Sequence, residues 1–124
     1  MPKRRMFSLE IVDSDSFLSM PPTTQNLYFH LGMRADDDGV VNNPMSIKRV
    51  VGASDDDLRI LIAKRFILPI EDSGIIVIKH WKLNNYIQKD RYTPSKYQKE
   101  LALLGLDENG AYKEEKIDLL RNTL

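Results

Sequence analysis

The chain has 124 residues, a formal net charge of zero, 42% hydrophobic residues and 29% charged residues. That places it with ordinary globular proteins of one cored domain and leaves too little chain for two full ones. It has no cysteine, which excludes a disulfide framework and a cysteine metal site and fits a reducing cytoplasm. No apolar run approaches the ~20 residues needed to span a bilayer, and the basic opening MPKRRMF has no apolar run behind it, so it does not read as a signal peptide.

The zero net charge hides an asymmetry. Residues 1–9 carry +3, and residues 75–99 carry +5, from Lys79, Lys82, Lys89, Arg91, Lys96 and Lys99 against Asp90; the other stretches are net acidic. Attraction to a polyanion is therefore expected from these two segments and not from the whole surface.

In chain order, FSLEIV (7–12) is apolar enough to pack, along an extended or a helical path. Asp13-Ser14-Asp15-Ser16 is a helix-start signal, because short oxygen side chains accept the first free backbone N–H groups. The turn it opens, through Phe17 and Leu18, stops at Pro21-Pro22. Thr23 or Thr24 is expected to cap a better helix, with Leu27, Leu31 and Arg34 along one side. Asp36-Asp37-Asp38-Gly39 ends it and reads as a solvated turn, with Gly39 supplying a conformation other residues resist.

Val40-Val41-Asn42 reads as a very short strand. Asn43 caps the next helix with Pro44 at its first position, where the missing N–H costs nothing. Ile47, Val50 and Val51 form its apolar face, and Gly52 ends it. Ser54 and Asp57 then make a capping box for a second helix, whose buried face is Leu58, Leu61 and Ile62. Residues 66–70 and 75–78 are strand runs joined by a loop over 71–74. Pro69 marks the first as an edge strand. The second is apolar on both faces, so the tail or another subunit should cover its outer side. Tyr97, Leu101 and Leu104 mark a helix after Pro94, Asp107 to Gly110 a turn, and Tyr112, Ile117 and Leu120 a weak terminal helix.

The implied fold class is α+β: a winged helix-turn-helix with three core helices, a small antiparallel wing and a helical C-terminal extension. The winged-helix domain with its N-terminal arm takes residues 1–92, and the extension or linker takes 93–124.

Little of this reads as catalysis or cofactor binding. The triple Asp before Gly39 invites a calcium loop, but the acids that pattern needs at positions 34 and 45 are Arg34 and Met45. His30 and His80 have no cysteine to join them in a zinc site; they read as a partly buried polar residue and a packing or contact residue. No nucleophile–base pair or glycine-rich phosphate loop stands out. The expectation is no enzyme, cofactor, metal or small-molecule substrate. A helix-turn-helix commonly lays the start of its second helix in the major groove. Here that start is Asp55-Asp56-Asp57, and the wing tip is Glu71-Asp72, so the usual docking would set carboxylates against phosphates. Arg59 and Lys64 offset this only partly. The better nucleic-acid candidate is the run Lys79 to Lys99, whose Lys79, Lys82, Lys89, Arg91 and Lys96 can neutralise phosphates while tyrosines stack on bases. Ile75, Val77, Trp81 and Tyr86 are the candidates for a self-association or partner surface.

The strings EIVDSDSFL, LYFHLGMRADDDGVVNNP, GASDDDLRILIAKRFI and VIKHWKLNNYIQKDRY, within residues 4–100, resemble the N-terminal domain of phage replisome organiser proteins, related to the bacterial primosome protein DnaD. The resemblance implies a winged-helix domain of a phage or prophage replication initiator in the cytoplasm of a Gram-positive host. Such domains are associated with origin binding or self-association, and a further C-terminal part contacts DNA and the helicase-loading machinery. That part is not in these 124 residues. The partners expected are therefore double-stranded origin DNA, helicase-loading proteins and further copies of the chain. The alternatives are a partner-docking module without DNA contact and a prophage transcription regulator.

Overall fold

A computed structural model describes residues 4–70 and 73–113. The helical side is set by its caps. The Ser14 side chain accepts the Phe17 N–H and starts α2 (Asp15–Leu18), directly after α1 (Leu9–Val12), so the undecided FSLEIV run ends in a helical turn. The long helix α3 (Pro22–Arg34) has Pro21 at its cap and Pro22 in its first turn. The threonine cap expected from the sequence is absent, because the prolines already occupy the start. The Thr23 and Thr24 hydroxyls instead donate to Asp57 Oδ1 at 2.9 and 2.6 Å.

After β1 (Val40–Val41), helix α4 (Pro44–Val50) follows Asn43, whose side chain makes no capping bond, and closes at Gly52 with φ 75°. Helix α5 (Asp55–Ala63) begins in the expected capping box: Ser54 Oγ accepts the Asp57 N–H at 3.1 Å and Asp57 Oδ2 accepts the Ser54 N–H at 2.9 Å. Asp57 therefore caps α5 with one oxygen and holds α3 with the other. Burial pushes its carboxyl pKa up, but the Ser54 N–H and the threonine hydroxyls outweigh that and hold it below the ordinary value. Helix α3 packs against both α4 and α5.

The sheet is antiparallel with order β1-β3-β2, where β2 is Ile67–Ile70 and β3 is Ile75–Ile78. Its register sets Val40 opposite Val77 and Pro69 opposite Ile76. Pro69 lies on the edge strand, where its missing N–H leaves no ladder bond unmade. Glu71 and Asp72 of the connecting loop lie outside the described residues. Strand β3 is central and buried at all four residues. The chain's own tail joins the cluster around it: Leu104 and Tyr112 are buried there, and the Tyr112 N–H donates to the Lys79 carbonyl at 3.0 Å.

The tail is less helical than expected. After α6 (Trp81–Asn84) and a loop comes one turn, α7 (Gln98–Leu101), and then a hairpin of β4 (Gly105–Leu106) and β5 (Tyr112–Lys113). Asp107 Oδ1 accepts the Asn109 and Ala111 N–H groups, and Gly110 takes φ 86°, so the expected turn closes a hairpin. Tyr112 is a strand residue, and Ile117 and Leu120 lie outside the described residues. No helix among the described residues is long and apolar enough to cross a membrane.

The core is aromatic. Phe17, Tyr28 and Phe66 meet edge to face with centroids 5.3 to 5.8 Å apart, a favoured geometry for ring quadrupoles. An N-terminal strap crosses this core. Phe7 lies so close to Gly32 of α3 that a Cβ there would stand 2.6 Å from its ring. The Ser8 N–H donates to Asn84 Oδ1 at 2.8 Å, and Asn84 Nδ2 donates to the Tyr28 hydroxyl at 2.9 Å.

Two measurements probe this packing and capping. Gly39→Ala places a Cβ 2.6 Å from Trp81 Cγ at φ 88°, whereas Gly52→Ala, at φ 75°, meets no atom within 4 Å. Urea unfolding is expected to show a loss of about 1–2 kcal/mol at Gly52 from backbone strain alone, and at least ~1 kcal/mol more at Gly39 from overpacking. Equal losses would refute the overpacking at Trp81. For Asp57, the depressed pKa means its contribution is fully present above the unfolded carboxylate pKa and is lost as pH falls through the folded value. Asp57→Asn should therefore destabilise the protein at neutral pH, by about 1–3 kcal/mol, and make stability fall less steeply below pH ~4.

Candidate nucleic-acid interface

The turn Asp36–Gly39, expected to be solvated, is a buried junction. Gly39 sits against Trp81, whose indole N–H donates to the Asp37 carbonyl at 2.9 Å. Asp36 Oδ1 accepts the Asp38 and Val40 N–H groups at 2.9 and 3.0 Å, which shapes the turn. The Asp37 side chain has no exposed surface and lies 3.2 Å from Nη1 of Arg5, whose side chain is 5% exposed. Arg5 Nη2 also donates to the Ala35 carbonyl at 2.8 Å, and its guanidinium lies 5.3 Å from the Trp81 ring centre. The other Asp37 oxygen accepts the Thr93 N–H at 2.9 Å. Asp38 accepts the Tyr92 hydroxyl at 2.7 and 2.8 Å and the Ser95 N–H at 2.8 Å. The Tyr112 hydroxyl donates to the Asp38 carbonyl at 2.8 Å. The acids are buried because donors from the strap and the tail converge on them.

This junction fixes the basic segment. Burial, and then the hydrogen bond to Asp38, push the Tyr92 hydroxyl pKa up to about 12, so it remains a donor at neutral pH. Residues 92–95 are thereby tied down at three points, and the chain between α6 and that anchor carries Lys89 and Arg91, both exposed. Lys82 is exposed on α6 with its Nζ 5.4 Å from the Tyr112 ring centre, and Lys96 is exposed with its Nζ 5.3 Å from that of Tyr97. Lys79 is half-buried at the end of β3, and its charge helps to hold the Asp107 carboxyl below the ordinary value, after the Ala111 and Asn109 N–H groups. None of these five cations, nor Lys99, has a carboxylate within ion-pair distance among the described residues.

The α5 face differs. Arg59 pairs with Asp56 at 2.8 Å, one helical turn away, and Lys48 of α4 pairs with Asp55. Lys64 donates to the Ser16 carbonyl and Ser19 Oγ at 3.2 and 2.7 Å. Arg59 and Lys64 are exposed but engaged within the chain. The side chain of Lys48 is only 10% exposed.

Of the candidate partner residues, Ile75, Val77 and Trp81 are buried inside the chain, at 6%, 0% and 2% exposure. The outer face of β3 needs no second subunit to cover it. Tyr86 stands apart at 80% exposure. The two histidines are engaged. His30 Nδ1 faces Arg34 Nη1 at 3.0 Å, and His80 packs on Phe66, where burial lowers its pKa. Among the described residues no three or more His, Asp or Glu side chains converge to hold a metal ion.

Pattern reasoning did not mark Arg5, Asp37 and Asp38 as a junction. The available signal was position: three acids in a short turn flanked by Ala35 and Val40-Val41 lie between apolar neighbours, where a carboxylate is buried if donors exist. Compared with protein families, with curated proteins and with solved structures, the chain returns no match.

Removing one partner of the buried pair should separate its two costs. Arg5→Met leaves Asp37 buried with its charge uncompensated and is expected to lose about 3–5 kcal/mol in urea unfolding. Adding Asp37→Asn should recover part of that loss. A double variant no more stable than Arg5→Met would show that the strap, not the charge, carries the effect.

Proposed function

We propose that this chain is a non-catalytic, DNA-associated module of a phage or prophage replisome organiser, built as a winged helix-turn-helix and acting in the cytoplasm of the bacterial host. In this reading α3, α4 and α5 are the three core helices and β2–β3 is the wing. The element order, the sheet order β1-β3-β2 and the capping box at the start of α5 support it. The replication assignment rests on the sequence resemblance over residues 4–100.

The observation that carries DNA binding is the pairing of charges. The cations beside the start of α5 are neutralised by its own acids, whereas Lys79, Lys82, Lys89, Arg91 and Lys96 lack ion-pair partners among the described residues. Unpaired surface cations can displace condensed counterions from a duplex without first giving up a carboxylate. The basic segment, held by Asp37 and Asp38, is therefore the phosphate-contacting surface, and α5 is mainly a scaffold. Helicase-loading proteins are the partners that the resemblance adds.

A second reading, self-association or partner docking, gains one observation. Met6 and Tyr86 are 51% and 80% exposed, and the Met6 N–H donates to Asn85 Oδ1 at 2.7 Å, which sets the segments that carry them side by side. It does not require Ile75 or Val77.

A salt-series titration on duplex DNA tests the first reading. Lys89→Ala with Arg91→Ala should weaken binding and reduce the slope of log K against log salt by about 2, one for each phosphate that is no longer neutralised. An unchanged slope overturns the assignment. Asp55→Asn with Asp56→Asn should leave the affinity nearly unchanged; a marked gain would place α5 against the duplex. A sharp preference for one operator in a footprint would favour a transcription regulator instead.

A further inference from the structure

A groove of about 350 Å³ lies between the C-terminal end of α3 and the loop that Asp38 anchors, and Arg34, Asn42, Thr93, Ser95, Lys96 and Tyr97 line it. We propose that this groove is a phosphodiester-binding site, with Arg34 and Lys96 gripping the sugar–phosphate backbone of a nucleic acid. The inference rests on the DNA-binding reading and adds a residue, Arg34, from an acidic part of the sequence.

The two cations come from different elements, and the junction at Asp37 and Asp38 brings them onto one groove. Neither has a carboxylate partner within ion-pair distance among the described residues. Arg34 directs Nη1 at its own helix, to His30 Nδ1 at 3.0 Å and the His30 carbonyl at 3.1 Å. That hold orients the guanidinium while Nη2 and Nε keep their donors, and a planar guanidinium matches the oxygens of a phosphate in two-point contact. Arg34 also lies in the last turn of α3, where the helix dipole favours a cation.

On the loop side, Lys96 Nζ is 5.3 Å from the Tyr97 ring centre, and the Tyr97 hydroxyl accepts from Asn42 Nδ2 at 3.1 Å. The ring is thus braced against the β1 side of the groove, so the loop keeps its place without a ligand. One acid, Asp36, also lines the groove, but its Oδ1 already accepts two backbone N–H groups. Two unpaired cations against one internally solvated carboxylate leave the groove net positive. Thr93, exposed on the same lining, adds a neutral polar residue of the kind that positions a backbone without reading sequence.

A duplex and an unpaired strand both present this backbone, so the test uses both: a random-sequence duplex and an oligothymidylate, each titrated over a salt series. The proteins are wild type, Arg34→Gln, Arg34→Lys, Lys96→Ala and the Lys89→Ala, Arg91→Ala variant. Arg34→Gln and Lys96→Ala are each expected to lower the salt slope by about 1, and Arg34→Lys, which keeps the charge, to keep the slope near wild type with weaker binding. Slopes that fall on the duplex alone assign the groove to paired DNA. Slopes that fall on the oligothymidylate alone assign it to a single strand, and a fall on both assigns it to either. Wild-type slopes for Arg34→Gln on both probes, with a reduced slope for the Lys89, Arg91 variant, would overturn the groove and leave the DNA-binding reading standing. A wild type that binds neither probe would overturn both.

Discussion

The buried contact between Arg5 and Asp37 is the constraint on which much of this structure depends. Both side chains are almost wholly withdrawn from water, and a charge in that position is costly unless its partner and its remaining hydrogen bonds are present. The partners are drawn from distant parts of the chain: Arg5 from the N-terminal strap, Trp81 from the end of the sheet, Thr93 and Ser95 from the basic loop, and Tyr112 from the last hairpin. None of these segments is long enough to stand alone. Residues 92–95 contain no regular element, and β4 and β5 have two residues each; hairpins of that size are unstable by themselves. They hold their places because two adjacent residues, Asp37 and Asp38, collect their donors on side-chain and backbone oxygens. The same arrangement explains Gly39. With Trp81 directly over it, the turn has no room for a side chain, and its positive φ suits glycine.

Helix α5 shows the opposite use of acids. Its three N-terminal carboxylates all suit the helix dipole, yet each is also engaged elsewhere. Asp55 takes Lys48, Asp56 takes Arg59, and Asp57 takes Ser54, Thr23 and Thr24. The first two pairs are at least partly exposed, and such pairs contribute little to stability. Their consequence is electrostatic. They cancel the cations beside the start of α5, and that surface is left near neutral. Asp57 is structural, since its carboxylate joins α3 to α5 and accepts several donors at once.

Much of the helical framework was legible because it is local. Pro44, Gly52, Ser54 and Asp57 act within a few residues of themselves, and the structure places the ends of α4 and α5 where they indicate. The edge position of β2 followed from Pro69 in the same way. What was not legible depends on contacts between residues 30 to 80 positions apart. The Thr23 and Thr24 hydroxyls left the cap of their own helix because an acid 33 or 34 residues away lay within reach. The Asp36–Asp38 turn is buried only because Tyr92, Thr93 and Ser95 reach it. Strand β3 is two-sided in the sequence, and no local signal said that Leu104 and Tyr112 would join the cluster around it. The helical period through Tyr97, Leu101 and Leu104 yields the single turn α7 and no more, because Gly105 and the Asp107 turn give the following backbone a hairpin to satisfy.

Net charge by segment therefore misjudges the field this protein presents. The chain sums to zero, but its charges are sorted by whether they have partners. Asp36, Asp37, Asp38 and Asp57 receive internal N–H, O–H or guanidinium donors, and Asp55 and Asp56 are paired at the surface. The lysines and arginines from residue 79 to residue 99 have no such partner among the described residues. At 4 Å an ion pair near a protein surface has an interaction energy of roughly 4 kcal/mol before solvation and screening are counted, so a paired cation adds little to the potential beyond its partner, while an unpaired one keeps its full field within a Debye length of about 8 Å. Arg34 follows the same logic from the other side. Its neighbours in sequence are acidic, yet Asp37 and Asp38 turn inward to the junction, and Asp36, which lines the groove, accepts two backbone N–H groups, so the groove that Arg34 shares with Lys96 keeps the cationic side of the balance. Burial of the acids and exposure of the cations are structurally linked, because the loop that carries Lys89, Arg91 and Lys96 is held in place by the carboxylates that would otherwise oppose it.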